Sequence, residues 1–480
     1  MSNAEKGLRI GWASASITPD KPVQLQGQFY ERVSECVRDP LMATALAFEA
    51  EDGSEQAVIV SCDLTSIHDD VFARIQKLAG ERAAGLDGRK VLLSVTHTHT
   101  APVLKEGFYP DPRPDMMRPP EYVELLVDQV VAAIVQAWEN RAVGGVSWVL
   151  SHAAIGFNRR VVYDDGTSLM YGDTNSPHFV GLEGTHDHAI EMLFCWDVDG
   201  DLTGIVINPA CPSQVVEHKR FISADYWSAV RDRIWEKYGK DIFVLGLCSA
   251  AGDQSPRDLV RRGRGEPDMF DEAGLEEKGR RIARAVEYVM DKAKRDIRTS
   301  VVFNHVVEDL ALPAKKVTDA QAQEAREELA ALRPAGSGPD DGGAEPQSRT
   351  QARSGQAGGK PDTDRILALR WQRVLDVYEG QADEPVFPMQ LHVLRLGDIA
   401  LATNPFELFL DYGLRIKARS KAEQTFLAQL ACGRGGYLPT RKSVAGGGYG
   451  ASVTDGLVGP DGGDALVERS VELINELFWS

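Results

Sequence analysis

Val91-Leu92-Leu93-Ser94-Val95-Thr96-His97-Thr98-His99-Thr100-Ala101-Pro102 begins as an apolar, β-prone run and ends on two histidines and a proline. With Gly88 upstream and Pro102 downstream as turn formers, the run predicts a buried strand. Residues i and i+2 of a strand share a face, so His97 and His99 are expected to project together from a strand end. That is where α/β proteins keep their ligands. Two imidazoles so placed can bind a divalent metal, or one can bind while the other moves protons. Loop hydrogen bonds would satisfy the same pair without any function.

Outward from this strand, apolar runs alternate with helical periodicity. Strands are expected over 8–15, 43–50, 56–61, 90–95, 145–151, 189–198, 202–207, 242–247, 300–312, 390–396 and 399–403. Helices are expected over 69–84, 120–139, 226–237, 272–296, 319–333, 363–379, 404–420 and 463–478. The pattern predicts a mixed α/β fold, with mixed β-sheets flanked by helices in one large domain spanning 1–480. Residues 334–361 are rich in Gly, Pro, Ser, Gln and Asp and predict a disordered tip on a helical hairpin insertion, 318–380. As a surface insertion the hairpin needs no function; as a lid it would touch substrate or a partner.

The 480 residues are 43% hydrophobic and 26% charged, enough for a large core. A formal net charge of −18 argues against a nucleic-acid or anionic-lipid surface, but not against a lipid-like small molecule. No run of about 18 apolar residues is present, so no membrane span is expected. The first seven residues lack the apolar core of a signal peptide. The six cysteines are scattered without a CxxC, as in a reduced cytoplasmic protein. The chain as given therefore reads as cytoplasmic, with export open for a form that starts upstream.

Three further clusters carry chemistry-bearing side chains. In Gly252-Asp253-Gln254-Ser255-Pro256, Gly252 permits close backbone approach, and Asp253 and Ser255 supply oxygens; Ser255 lacks a nucleophile-elbow context. In Asn404-Pro405-Phe406-Glu407, Pro405 predicts a first helical turn with Glu407 inside it, where the helix dipole favours a carboxylate and a metal or proton could meet one. Tyr437 and Tyr449 sit in glycine-rich loops able to press on a ligand. Between residues 105 and 120, Phe108, Tyr109, Met116 and Met117 could line an entrance or an ordinary loop.

Taken in order, these motifs resemble the neutral/alkaline non-lysosomal ceramidases. The matching elements are Ile17-Thr18-Pro19, the Thr-His-Thr-His strand end, Asn158-Arg159, Ser223-Ala224-Asp225, Gly252 to Pro256, the Pro-x-Glu of 405–407 and Tyr437-x-x-Thr440-Arg441. The resemblance runs over essentially the whole chain, without the immunoglobulin-like C-terminal domain of many ceramidases. It implies one zinc ion held by His97, Glu407 and Tyr437, with His99 near the attacked carbonyl, Arg159 and Tyr449 in the substrate pocket, and Ser255 at the position of a serine proposed for catalysis. The family's second histidine ligand falls on Cys211, fourteen residues before Asp225. Thiolate is a legitimate zinc ligand, so Cys211 completes one candidate metal set. Gln214 or His218 could substitute, or the metal could be lost.

The function implied is zinc-dependent hydrolysis of an amide in an N-acylated, ceramide-like or related small molecule, through metal-activated water. Two alternatives stand beside it: a ligand-binding protein that kept the scaffold without the chemistry, and a metal-free serine hydrolase using Ser255. The pattern does not set the oligomeric state.

Overall fold

The computed structural model describes residues 4–332 and 361–479. The tip expected over 334–361 therefore lies outside the described residues, except that Pro361 opens a helix, Pro361–Gly380. The larger sheet runs, in spatial order, Phe243–Gly246, Leu202–Pro209, Ala189–Asp197, Ala142–His152, Lys6–Ser16, Met42–Ala50, Gln56–Cys62 and Val91–Val95, with Ser300–Val301 added beside Lys6–Ser16. A second sheet contains Phe303–Pro313, Val386–Leu396, Ile399–Thr403 and Gln424–Ala428. Phe303, Leu394, Leu401 and Phe426 of that sheet share one apolar core with Leu46, Val60 and Leu93 of the larger one. Helices Asp69–Arg82 and Pro119–Glu139 place Ile75, Leu126 and Val130 in the same core. The expected mixed α/β architecture, with helices flanking mixed sheets, is the one observed.

Most strand pairs are antiparallel, but the two large sheets contain three parallel pairs: Gln56–Cys62 with Val91–Val95, Leu202–Pro209 with Phe243–Gly246, and Ile399–Thr403 with Gln424–Ala428. The loops leaving their carboxyl ends are stitched together. Asn208 exchanges two hydrogen bonds with the backbone of Leu427. The Ser61 hydroxyl donates to the Gly246 carbonyl, and the Cys432 N–H to the Leu93 carbonyl. Gln429 Oε1 accepts the N–H groups of both Ala251 and Leu408.

Two local expectations change. The strand ends at Val95, and His97 has a positive φ of 64°. His97 and His99 are therefore brought together by a turn rather than by strand alternation. The helix expected from Asn404 begins only at Leu410, because Phe406–Leu408 is a short strand paired in parallel with Gly436–Leu438. Its backbone groups are taken outside a helix: Asn404 Oδ1 accepts from the Phe406 N–H, and the Leu408 carbonyl accepts from the remote Gly252 N–H. A Cβ on Gly252 would lie 2.3 Å from the Glu407 carbonyl oxygen, so only glycine permits this approach.

The insertion helices Asp319–Ala331 and Pro361–Gly380 share a small core of Ala322, Ala325, Trp371 and Val374 with Val317. No helix among the described residues is long and apolar enough to cross a membrane.

Between the sheets, His305 Nε2 lies 3.1 Å from His392 Nδ1, and His305 Nδ1 donates to the Gln56 carbonyl at 3.1 Å. Burial pushes His305 down to about 3, and burial with His305 alongside pushes His392 well below the ordinary histidine range. The unfolded chain thus binds these protons first. The stability contributed by the neutral pair is complete above the ordinary histidine pKa of about 6.5 and is lost as pH falls through that value toward the folded ones. Between pH 6 and 4, the unfolding free energy of the wild type should fall more steeply than that of a His305→Gln/His392→Gln double variant, by about 1–3 kcal/mol per pH unit. Urea titrations that give parallel slopes for the two proteins would refute this.

Candidate active site

The three stitched loops converge on Arg159, buried at 2% exposure on the strand-flanking segment after Asn158. Its Nη1 donates to the Tyr171 hydroxyl at 3.0 Å and to Gln214 Oε1 at 3.2 Å. Its Nη2 donates to the Gly252 carbonyl at 2.9 Å and to the Tyr437 hydroxyl at 3.2 Å, and lies 3.8 Å from Glu407 Oε2. Arg159 Nε has no hydrogen-bond partner among the described residues. Tyr171 has a positive φ of 59°, uncommon for a bulky side chain, and its ring faces the guanidinium at 5.5 Å.

Around this cation, Glu407 and Tyr437 sit opposite one another in the short parallel ladder. Glu407 Oε2 lies 3.5 Å from His97 Nε2. Burial alone would raise the Glu407 carboxyl, but His97, Arg159 and the Tyr437 hydroxyl hold it down to about 2, so it is an anion. Burial pushes Tyr437 well above the ordinary phenol range. His97 Nδ1 lies 2.6 Å from the Thr65 carbonyl, which can only accept. That contact makes Nδ1 a donor and turns Nε2 toward Glu407.

His99 Nε2 lies 3.4 Å from His97 Nε2 and accepts from Gln214 Nε2 at 2.8 Å, while its Nδ1 is 3.3 Å from Glu217 Oε2. Burial lowers His99 to about 4, so it is neutral at pH 7. Burial would raise the Glu217 carboxyl, but His99, Arg159 and Arg32 nearby hold it below the usual carboxylate range. A Cβ on Gly27, at φ 111°, would lie 2.4 Å from His99 Cγ, so this ring is pinned from above by bare backbone.

The remaining sequence candidates fall in three places. The Tyr449 ring lies 5.3 Å from that of Tyr437 and 5.5 Å from Phe29. Ser255 is buried on a two-residue strand; its hydroxyl accepts the Arg257 N–H at 3.1 Å and contacts Tyr171, with no histidine in hydrogen-bond contact among the described residues. Cys211 bonds to nearby backbone. Its thiol donates to the Ile155 carbonyl at 3.2 Å, and burial pushes it up to about 12, which keeps it protonated. His218 stacks on Phe270 and lies 3.8 Å from Asp271. Phe108 and Tyr109 pack with Phe29, Val103 and Ile366, on the side where Phe29 reaches Tyr449.

Asp253 and Asp225 have structural duties. Asp253 Oδ1 accepts the Leu410 N–H that opens the helix Leu410–Arg419. Asp225 caps the helix Tyr226–Tyr238 and accepts the Val216 N–H, with burial raising it to about 7.

The donors that converge are an imidazole nitrogen, a carboxylate and a phenol: His97, Glu407 and Tyr437. Three protein ligands of these types suit a catalytic zinc site, which keeps a position open. The Thr65 carbonyl supplies the outer hydrogen bond such a histidine needs. The donor types of His97, Glu407 and Tyr437 suit a divalent ion, while the Cys211 thiol is hydrogen-bonded to the Ile155 carbonyl.

No family model matches the chain, and no curated protein matches it in sequence. Among solved structures, its fold is similar to that of neutral ceramidase from Pseudomonas aeruginosa, with a TM-score of 0.69 and 19% identity over 98% of this chain and 74% of the other. It is likewise similar to a ceramidase complexed with C2, with a TM-score of 0.67 and 18% identity over 98% and 75% of the two chains. The likeness establishes the fold that the motif order implies.

Replacing Arg159 with Met keeps the volume but leaves Glu407 buried without its nearby cation and Gly252 without a donor. Chemical denaturation should show a loss of about 3–5 kcal/mol; a loss below about 1 kcal/mol would mean that Arg159 does not neutralise this cluster.

Proposed function

We propose that the chain hydrolyses an amide in an N-acylated, lipid-like small molecule and that a divalent ion, zinc by donor type, is held by His97, Glu407 and Tyr437. The observation that carries this reading is the 3.5 Å approach of His97 Nε2 to the ionised Glu407 carboxylate beside Tyr437. The ceramidase-like fold supports the same reaction class. The chemistry that such an ion supplies is Lewis-acid polarisation of a carbonyl oxygen and acidification of water.

The protein's own groups divide the remaining work. Gln214 donates to His99 Nε2, which places the proton of the neutral ring on Nδ1 toward Glu217; with Gln214 displaced by substrate, Nε2 can take a proton from an attacking water. The same nitrogen, once protonated, can return that proton to the leaving amine. The unpartnered Nε–H of Arg159 and the Tyr449 hydroxyl are the donors available to the developing oxyanion. Tyr171, Gln214 and the Gly252 carbonyl fix the guanidinium, so its orientation costs nothing during the reaction. The serine reading gains no base from the contacts of Ser255, and the binding-only reading leaves the converged donors without a task.

The test is release of free amine from a panel of N-acyl amines and N-acyl amino acids. His97→Ala and Glu407→Gln should each lower kcat/KM by about 10²–10⁴-fold, while Cys211→Ser stays within about threefold of wild type. No turnover of any panel member by metal-replete protein, or full activity in His97→Ala, would overturn the proposal.

A further inference from the structure

Tyr437 and Tyr449 are approached from outside the two large sheets by helix Pro361–Gly380. The helix is fixed at two points. Trp371 and Val374 lie in the small core with Val317, and the fully buried Ile366 packs with Phe29, Val103 and Tyr109. Arg370 follows Ile366 by four residues and so shares its face. The Arg370 guanidinium carbon lies 5.1 Å from the ring centroids of both Tyr449 and Phe29, which meet edge to face at 5.5 Å. A cation this close to two aromatic rings is attracted to both and restrains them.

The same guanidinium pairs with Asp455, whose side chain is 1% exposed, and donates to the Thr454 hydroxyl at 3.0 Å. Asp455 organises the turn that follows Tyr449. Its Oδ2 accepts the N–H groups of Gly450 and Ser452, each at 2.9 Å, and the Ser452 hydroxyl at 2.6 Å. Its carbonyl accepts the Tyr437 N–H at 3.0 Å. A buried carboxylate needs a counter-charge as well as donors, and Arg370 is the cation paired with it. Arg160 anchors the backbone of Tyr449 through its carbonyl, at 2.9 Å, whereas the Tyr449 ring meets Tyr437, Phe29 and Arg370.

We infer that Arg370 is a positioning residue. Paired with Asp455, it holds the turn after Tyr449 and the backbone of Tyr437; packed against Phe29, it fixes the Tyr449 ring beside Tyr437. The insertion helix is thereby part of the site. The hold on the turn stands by itself, and its consequence for turnover rests on the proposed amide hydrolysis.

Hydrogen exchange of the full chain, followed by mass spectrometry, reads the hold without any substrate. In Arg370→Met, which keeps a good helix former, peptides covering 446–456 should exchange about tenfold faster than in the wild type, while those covering 56–62 are unchanged. Arg370→Lys returns a cation to Asp455 and should bring exchange back to within about threefold of wild type. Asp455→Asn breaks the same pair from its other end and takes the place of Arg370→Met should that variant fail to fold. Exchange in 446–456 that is unmoved overturns the inference, whether or not any amide is turned over. On a substrate that is turned over, Arg370→Met should lower kcat about tenfold with KM within about threefold of wild type, and change kcat less than about twofold in a Tyr449→Phe background. Equal factors in both backgrounds, or a rise in KM alone, overturns the positioning role and leaves the amide reading intact. Faster exchange in a protein that turns over no amide supports the hold and overturns the amide reading instead.

Discussion

Three parallel strand pairs end at one point, and the remainder of the molecule is organised by that convergence. A parallel pair sends both of its carboxyl ends in the same direction, so each supplies two loops to the same place. Gln56–Cys62 with Val91–Val95 delivers Thr65, His97 and His99; Leu202–Pro209 with Phe243–Gly246 delivers Gln214, Glu217 and Gly252; Ile399–Thr403 with Gln424–Ala428 delivers Glu407 and Tyr437. Buried amides hold the ends in register. Asn208 and Gln429 each satisfy two backbone groups of another segment, and an apolar substitute at either position would strand buried N–H groups.

Charge is balanced around a buried guanidinium. Arg159 is shared among Tyr171, Gln214, Gly252 and Tyr437, with Glu407 within reach. Four neutral acceptors in fixed positions orient the cation, and one carboxylate neutralises it. This arrangement explains how a glutamate can stay ionised where burial alone would protonate it. The Nε2 atoms of both histidines turn inward, with the Thr65 carbonyl and the Glu217 carboxylate beside the opposite ring nitrogens.

The strands were legible in the sequence because apolar, β-branched runs have few alternatives once both faces are covered, as at Val91–Val95. The site was legible in its chemistry but not in its local geometry. His97 and His99 meet as expected, yet through a turn that no periodicity announces. Glu407 was read into a helix because Pro405 suits a first turn; the hydrogen-bond partners that make it a strand residue, Gly252 and Gln429, are remote in sequence. Cys211 was placed by motif spacing, and spacing cannot see that the Ile155 carbonyl takes its thiol. Glu217, Tyr171 and Arg370 carry no local signal of their own. Glu217 could have been sought beside Gln214 as an orienting acid for His99, whereas Tyr171 and Arg370 come near only through the fold.

The central proposal is that nitrogen and oxygen donors, without Cys211, hold a divalent ion at this site. X-ray absorption at the zinc edge, on protein loaded with one equivalent of zinc, measures this directly. The account predicts a shell of nitrogen and oxygen neighbours near the usual ~2.0–2.2 Å and no sulfur. A sulfur neighbour near ~2.3 Å, or zinc held only as the hydrated ion, would contradict it.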